Sequence, residues 1–243
     1  MADAVTTQIL MQTEKKVVYK FTNTSDGTGE SDVKKVDLSQ LTWAHHTLTL
    51  SGAASPNFKI GEVLTTGSAE TFIVTGFTAG ASTVEVVGWD NSNKKAAAID
   101  TGMSNGDAVS GGVSGNNTRT VANSGNFTEN DYNVVVSKLQ WICNGMNVKI
   151  EWDGSTAEKE IATLTGSGSW NCGSHNWPGV PINATGDTAG VLGDIQFSTV
   201  GHTAADSYCI WMEVIKTGGY DLPPYEQNSQ LGYQVDYLLG NFT

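Results

Sequence analysis

Short runs of alternating apolar and polar residues, bounded by Gly, Ser, Asn and Asp, recur along this chain, and no long stretch keeps apolar residues at i, i+3, i+4 and i+7. Period-two alternation marks strands with one buried face, so the pattern predicts an all-β protein. Its sharpest instance lies around Asn144-Gly145. Val135, Leu139, Trp141 and Cys143 precede that pair, and Met146, Val148, Ile150 and Trp152 follow it. Asn-Gly is the preferred pair for a type I′ turn, which predicts a hairpin with Cys143 opposite Met146, Trp141 opposite Val148 and Leu139 opposite Ile150. The same register sets Lys138 opposite Glu151 and Gln140 opposite Lys149 on a solvated face.

Further strands are predicted around Val17, Tyr19 and Phe21; Val36 and Leu38; Ile161 and Leu164; and Ile195 and Phe197. The run Tyr208 to Ile215 is apolar on both faces, so it is a central strand or one covered by another subunit. From Ala44 to Asn126 aromatics thin out and Thr, Ser, Ala and Gly dominate, with short strand signals at Leu48–Leu50, Ile60–Leu64, Glu70–Thr75 and Thr83–Val87. That texture predicts a small β module inserted in a larger body, with the Gly/Ser/Asn-rich stretch from Thr101 to Gly125 as linker. The last segment, Thr217 to Thr243, carries Gly218-Gly219, Pro223-Pro224 and five large aromatics without a regular period, and is predicted to be an extended arm.

Composition narrows the partners. Among 243 residues, 25 are acidic and 13 basic, with one arginine, Arg119, and a formal net charge of -12. Such a field repels phosphate, which argues against general nucleic-acid and anionic-membrane binding. Met1-Ala2-Asp3-Ala4 lacks the basic and apolar segments of a secretion signal, so folding in a cytoplasm is expected. Cys143, Cys172 and Cys209 are expected to be thiols, mostly as small buried hydrophobes.

Candidate chemistry is sparse. Asp26, Thr28, Glu30 and Asp32 present oxygens at alternate positions of a Gly-rich turn but lack the full spacing of a calcium loop, and a solvated turn is the better reading. Cys172-Gly-Ser-His175 has no second paired motif to complete a zinc site. Glu151 and Asp153 stand too close on one strand to straddle a glycosidic bond. No nucleophile, phosphate loop or acid/base pair emerges, so neither enzymatic activity nor a cofactor is expected. Large aromatics are common at interface hot spots, which makes Tyr220, Tyr225, Tyr233, Tyr237 and Phe242 of the arm, with Trp170 and Trp177, the candidate contact residues, and Trp211 is weighed beside these tryptophans.

Thr22-Asn-Thr-Ser-Asp-Gly-Thr-Gly-Glu-Ser-Asp32, followed by Lys34-Lys-Val-Asp-Leu-Ser39, resembles the N-terminal signature of virion structural proteins of tailed bacteriophages, marine phages especially. Trp141 to Asp153 and Gly193 to Thr203 resemble the later half of the same family. Phe58-Lys-Ile-Gly-Glu-Val63 and Gly67-Ser-Ala-Glu-Thr71 resemble the small SH3-like modules of phage tail and capsid proteins. The resemblance implies a particle component, a capsid decoration, or cement, protein on the outer surface of the shell.

The expectation is a jelly-roll-like β-sandwich body over 1–43 and 127–216, an inserted SH3-like module over 44–126, and a C-terminal arm over 217–243. The expected partners are the major capsid protein and further copies of this chain, with a trimer suited to threefold positions. A tail, baseplate or fibre component is one alternative. A carbohydrate-binding module holding host-surface glycans on Trp170 and Trp177 is another.

Overall fold

The computed structural model describes residues 4–52, 58–67, 71–90, 92–93, 95–96, 108–111, 118–120, 127–129, 132–154, 158–171 and 194–220. Apart from a single 3-10 turn at Leu38–Gln40, the regular secondary structure of the described residues is all strand. In chain order the strands are β1 (Thr6–Gln12), β2 (Lys16–Thr24), β3 (Val33–Val36), β4 (His45–Thr49), β5 (Val63–Thr66), β6 (Thr71–Phe77), β7 (Thr83–Asp90), β8 (Lys95–Ala96) and β9 (Ala108–Gly111). They continue with β10 (Thr118–Thr120), β11 (Phe127–Glu129), β12 (Asn133–Asn144), β13 (Asn147–Trp152), β14 (Lys159–Leu164), β15 (Ser167–Asn171), β16 (Ile195–Val200) and β17 (Ser207–Gly218). All pair antiparallel, in three sheets.

Two compact units result. The first comprises Met1–Leu38 and Asp131–Gly218. It holds a five-stranded sheet of order β1-β2-β17-β12-β15 and a four-stranded sheet of order β14-β13-β16-β3. Their inner faces meet in an apolar core. Phe21 of β2 packs edge-on against Phe197 of β16 at 4.9 Å, and Phe197 against Tyr208 of β17 at 6.1 Å. Ile150, Ile195, Ile210 and Leu139 fill the space between. This is the β-sandwich that the alternation predicts.

The Asn144-Gly145 hairpin does not form. β12 pairs with β15 and β17, β13 pairs with β14 and β16, and Gly145-Met146 carries the chain from one sheet to the other. Gly145 has φ +79° while Asn144 is not left-handed, so a type I′ turn, which needs both, is absent. Leu139, Cys143, Met146, Val148 and Ile150 are nonetheless all buried, since the two strands line the same core from opposite sheets. A bulge between Val136 and Lys138 skips Ser137, which puts Val134 and Val136 on the inner face in place of Val135. The expected charge pairs change accordingly. Lys138 pairs with Glu213 at 3.3 Å, and Glu151 with Lys149 on its own strand.

The second unit comprises Ser39–Asn130 and Gly219–Thr243, with a sheet of order β10-β9-β5-β6-β7-β4-β11 and β8 against β7. One core cluster holds Leu48, Leu50, Phe58, Leu64, Phe72, Val74, Val84, Val86 and Val109. A second, of Trp43, Ile73, Val87 and Trp89, has Tyr220 packed against it. The four strand signals of the inserted module correspond to β4 through β7. The units change over at 38/39 and 130/131 rather than 43/44 and 126/127. Trp43 belongs to a core cluster of this unit, and Phe127–Glu129 pairs with β4.

Candidate functional site

β17 is the centre of the five-stranded sheet, flanked by β2 and β12. From Ser207 to Lys216 its residues alternate between half-buried and buried. Tyr208, Ile210, Met212, Val214 and Lys216 face the core, while Cys209, Trp211, Glu213 and Ile215 stand on the outer face. Register across the sheet assembles that outer face into rows. One runs Lys20, Trp211, Gln140, Ser169, and the next runs Val18, Glu213, Lys138, Asn171. All of these except Lys20 line a groove of about 350 Å³, which Trp170 also borders from the edge strand β15.

Glu213 is the electrostatic centre of the groove. It accepts a hydrogen bond from Ser137 Oγ at 2.7 Å and ion pairs from Lys16 at 3.1 Å and Lys138 at 3.3 Å. Partial burial pushes its pKa up, but the hydrogen bonds from Ser137, Lys16 and Lys138 outweigh that and hold the carboxyl below its usual value. The Lys20 ammonium lies over the Trp211 ring, 5.8 Å from its centroid, as a cation–π pair.

The edge of the same sheet is a second surface. Ala4 and Thr24 exchange both backbone hydrogen bonds, at 3.1 and 3.3 Å. Antiparallel alternation therefore turns the N–H and C=O groups of Val5, Thr7 and Ile9 away from β2. A bulge between Ile9 and Met11 leaves Leu10 without a register partner. Val5, Ile9, Leu10 and Met11 are 41, 54, 53 and 40% exposed. Natural edge strands are usually blunted by charge or proline, and Ala4 to Thr13 contains neither.

The candidate metal ligands are dispersed. Asp26 accepts the N–H of Thr28 in a local turn, and Asp32 accepts from Ser198 Oγ. Glu30 is not in a solvated turn. It lies buried, ion-paired with Lys35, and accepts the Tyr208 hydroxyl at 2.7 Å. Cys143 faces the core, where burial pushes its thiol up to about 11, while Cys209 is on the outer face. Cys172 and His175 lie outside the described residues. Among the described residues no group of three or more His, Cys, Asp or Glu could hold a metal ion, and no helix is long and apolar enough to cross a membrane.

Of the candidate contact residues, Trp170 is half-buried opposite Leu139, and Tyr220 packs on the second unit's core while bridging Ala44. Trp177, Tyr225, Tyr233, Tyr237 and Phe242 lie outside the described residues. Sequence reasoning set Trp211 among the interface aromatics and Gln140 on a solvated face, but it missed Lys20 and the β1 edge and did not bring Trp211 and Gln140 into one row. Trp211 alternates with Ile210 and Met212 within an apolar run, and nothing local marks which face is wet.

No family model matches the sequence, and no curated protein matches it. A solved chain described as manganese lipoxygenase of Gaeumannomyces graminis and partial zonadhesin of Komagataella pastoris aligns over 90% of this chain and 84% of its own. It does so at 8% identity and a TM-score of 0.12, which carries no argument about fold or function.

Proposed function

We propose that the protein is a structural component of a tailed-bacteriophage virion, a capsid decoration protein that binds the major capsid protein on the outer surface of the shell and stabilises it. The jelly-roll type of the body, the SH3-like type of the module, and the trimer at threefold positions belong to the same reading. Two things support it: the sequence resemblance to virion proteins, and the exposed, uncharged edge strand β1, the single structural observation that carries the reading. An edge with outward-pointing amides and four exposed apolar side chains is a template for β-augmentation by another chain. Many such contacts of modest strength, repeated over a shell, add through multivalency.

Cosedimentation of the full chain with purified shells of the major capsid protein tests the assignment. The reading expects saturable binding that Thr7→Pro abolishes, because proline removes an outward N–H without touching the β1–β2 ladder. Absence of binding to shells, or equal binding by Thr7→Pro, would overturn it. Capture by isolated tails instead would favour a tail component.

A further inference from the structure

We infer that β1 of one copy pairs with β15 of the next, joining the five-stranded sheets of three copies into a closed ring. This rests on the reading of β1 as an edge that receives another chain, and it names that chain. Among the described residues, β1 and β15 are the two ends of one sheet. Ala4 to Thr13 contains no charged residue, and neither does Leu164 to Asn171. The end strands of the other two sheets differ. β3 contains Lys34 and Lys35, β14 contains Lys159 and Glu160, β10 contains Arg119 and β11 contains Glu129. Charge on an edge strand opposes edge-to-edge pairing, and only the two ends of the five-stranded sheet lack it. An uncharged strip is also where copies of net charge -12 approach with least repulsion. Two such edges at opposite ends of one sheet suit head-to-tail contact, which closes into a ring when the rotation between copies returns to its start.

The backbone groups are placed for this contact. Cys143 N–H donates to Gly166 O, and antiparallel alternation from there turns the N–H and C=O of Gly168 toward β12 and those of Ser167 and Ser169 outward. On β1 the outward groups are those of Val5, Thr7 and Ile9. Neighbours in the sheet all pair antiparallel and four steps separate β1 from β15, so these two strands run in the same direction. Rotation about an axis along the strands keeps that direction, and β15 therefore meets the next β1 in parallel. Residues side by side across the new pair share a face. Thr7 and Ile9 lie opposite Phe21 and Tyr19, on the core side of the sheet, and Trp170 lies opposite Leu139 on that same side. Pairing sets the half-buried Trp170 against the side of the next β1 on which Val5 and Ile9 are exposed. An aromatic packed on aliphatic side chains is a common anchor of an interface. Shell binding then depends on β1 through the ring, because three joined copies grip a shell multivalently and one copy does not.

Analytical ultracentrifugation of the full chain, with no shells present, tests the inference. The wild type should sediment as three chains. Thr7→Pro and Ser169→Pro each remove one outward N–H and leave the ladder to β2 or β12 intact, so each alone should sediment as a single chain. Mixed in equal amounts they should form a two-chain species, because the intact β15 of the first meets the intact β1 of the second and nothing continues the ring. Melting equal to that of the wild type establishes that each variant folds. Where a proline variant melts lower, Ile9→Lys or Ser169→Lys, both at exposed side chains, takes its place with the same expectation. A wild type that is monomeric at every concentration, assembly unaffected by Ser169→Pro, or a mixture that stays monomeric overturns the inference. A two-chain wild type that only Thr7→Pro dissociates also overturns it, because β1 would then pair with β1. Shell cosedimentation is read separately. A ring that ignores shells removes the proposed function and leaves the ring, whereas a monomer that binds shells through β1 does the reverse.

Discussion

Glu30 and Lys35 place opposite charges in the sandwich core, with the Lys35 ammonium 5.8 Å over the Phe197 ring and the Tyr208 hydroxyl on the second carboxylate oxygen. Removing one partner of a buried pair strands the other without water. Lys35→Met should therefore cost about 3–5 kcal/mol, and adding Glu30→Gln, which neutralises the stranded charge and keeps an acceptor for Tyr208, should recover much of that. Urea unfolding midpoints of the single and double variants check this. Lys216 is the contrasting case. It is buried on the inner face of β17, its ammonium donating to the Thr13 carbonyl at 3.2 Å, and desolvation pushes its pKa down to about 8 from 10.5, with Glu14 opposing only in part. A lysine with a depressed folded-state pKa binds fewer protons folded than unfolded between those values, so its penalty is full below about pH 8 and fades toward pH 10.5. Lys216→Met should raise the melting temperature at pH 7 and flatten the rise in stability from pH 8 to 10.5. A decrease at pH 7 would contradict the assignment.

At the scale of the element, the Asn144-Gly145 corner shows why local signals name strands better than they name partners. Two alternating runs around a two-residue gap fit a hairpin and also fit an arch between facing sheets. The choice is made by β16 and β17, which come from 195–218 and cover β13 and β12 respectively. Gly145 still constrains the corner, because its φ is positive and a Cβ there would overlap the Asp206 carboxylate, which caps Thr203. Gly145→Val should lower stability by more than the roughly 1–2 kcal/mol of a left-handed L-residue. An unchanged unfolding midpoint would contradict this. Gly168 answers to a different neighbour. Trp141 lies across it from the adjacent strand, its indole N–H donating to Thr165 O at 3.1 Å, so the half-exposed indole fills the space that a side chain would occupy. Strands β4 to β7 were legible from short strand signals, and the central position of β17 was one of two readings of a run that is apolar on both faces. The groove was not, because Val18, Glu213 and Lys138 meet only through a register spanning residues 18 to 213.

At the scale of the molecule, the all-β class was legible in the periodicity. The changeover points were not, since membership of Trp43 and Phe127–Glu129 in the second unit depends on non-local packing and pairing. The aromatic arm expected to make the main contact falls, beyond Tyr220, outside the described residues, and the exposed edge β1 takes its place in the account. Its lack of charge over Ala4 to Thr13 is what suits it to meet another chain in a molecule of net charge -12. Cryo-electron microscopy of intact particles carrying this protein is the most direct measurement. Density for both β units is expected on the outer surface of the head, repeating with icosahedral symmetry and with β1 against a neighbouring chain. Density confined to the tail, or a shell contact in which β1 faces solvent, would contradict it.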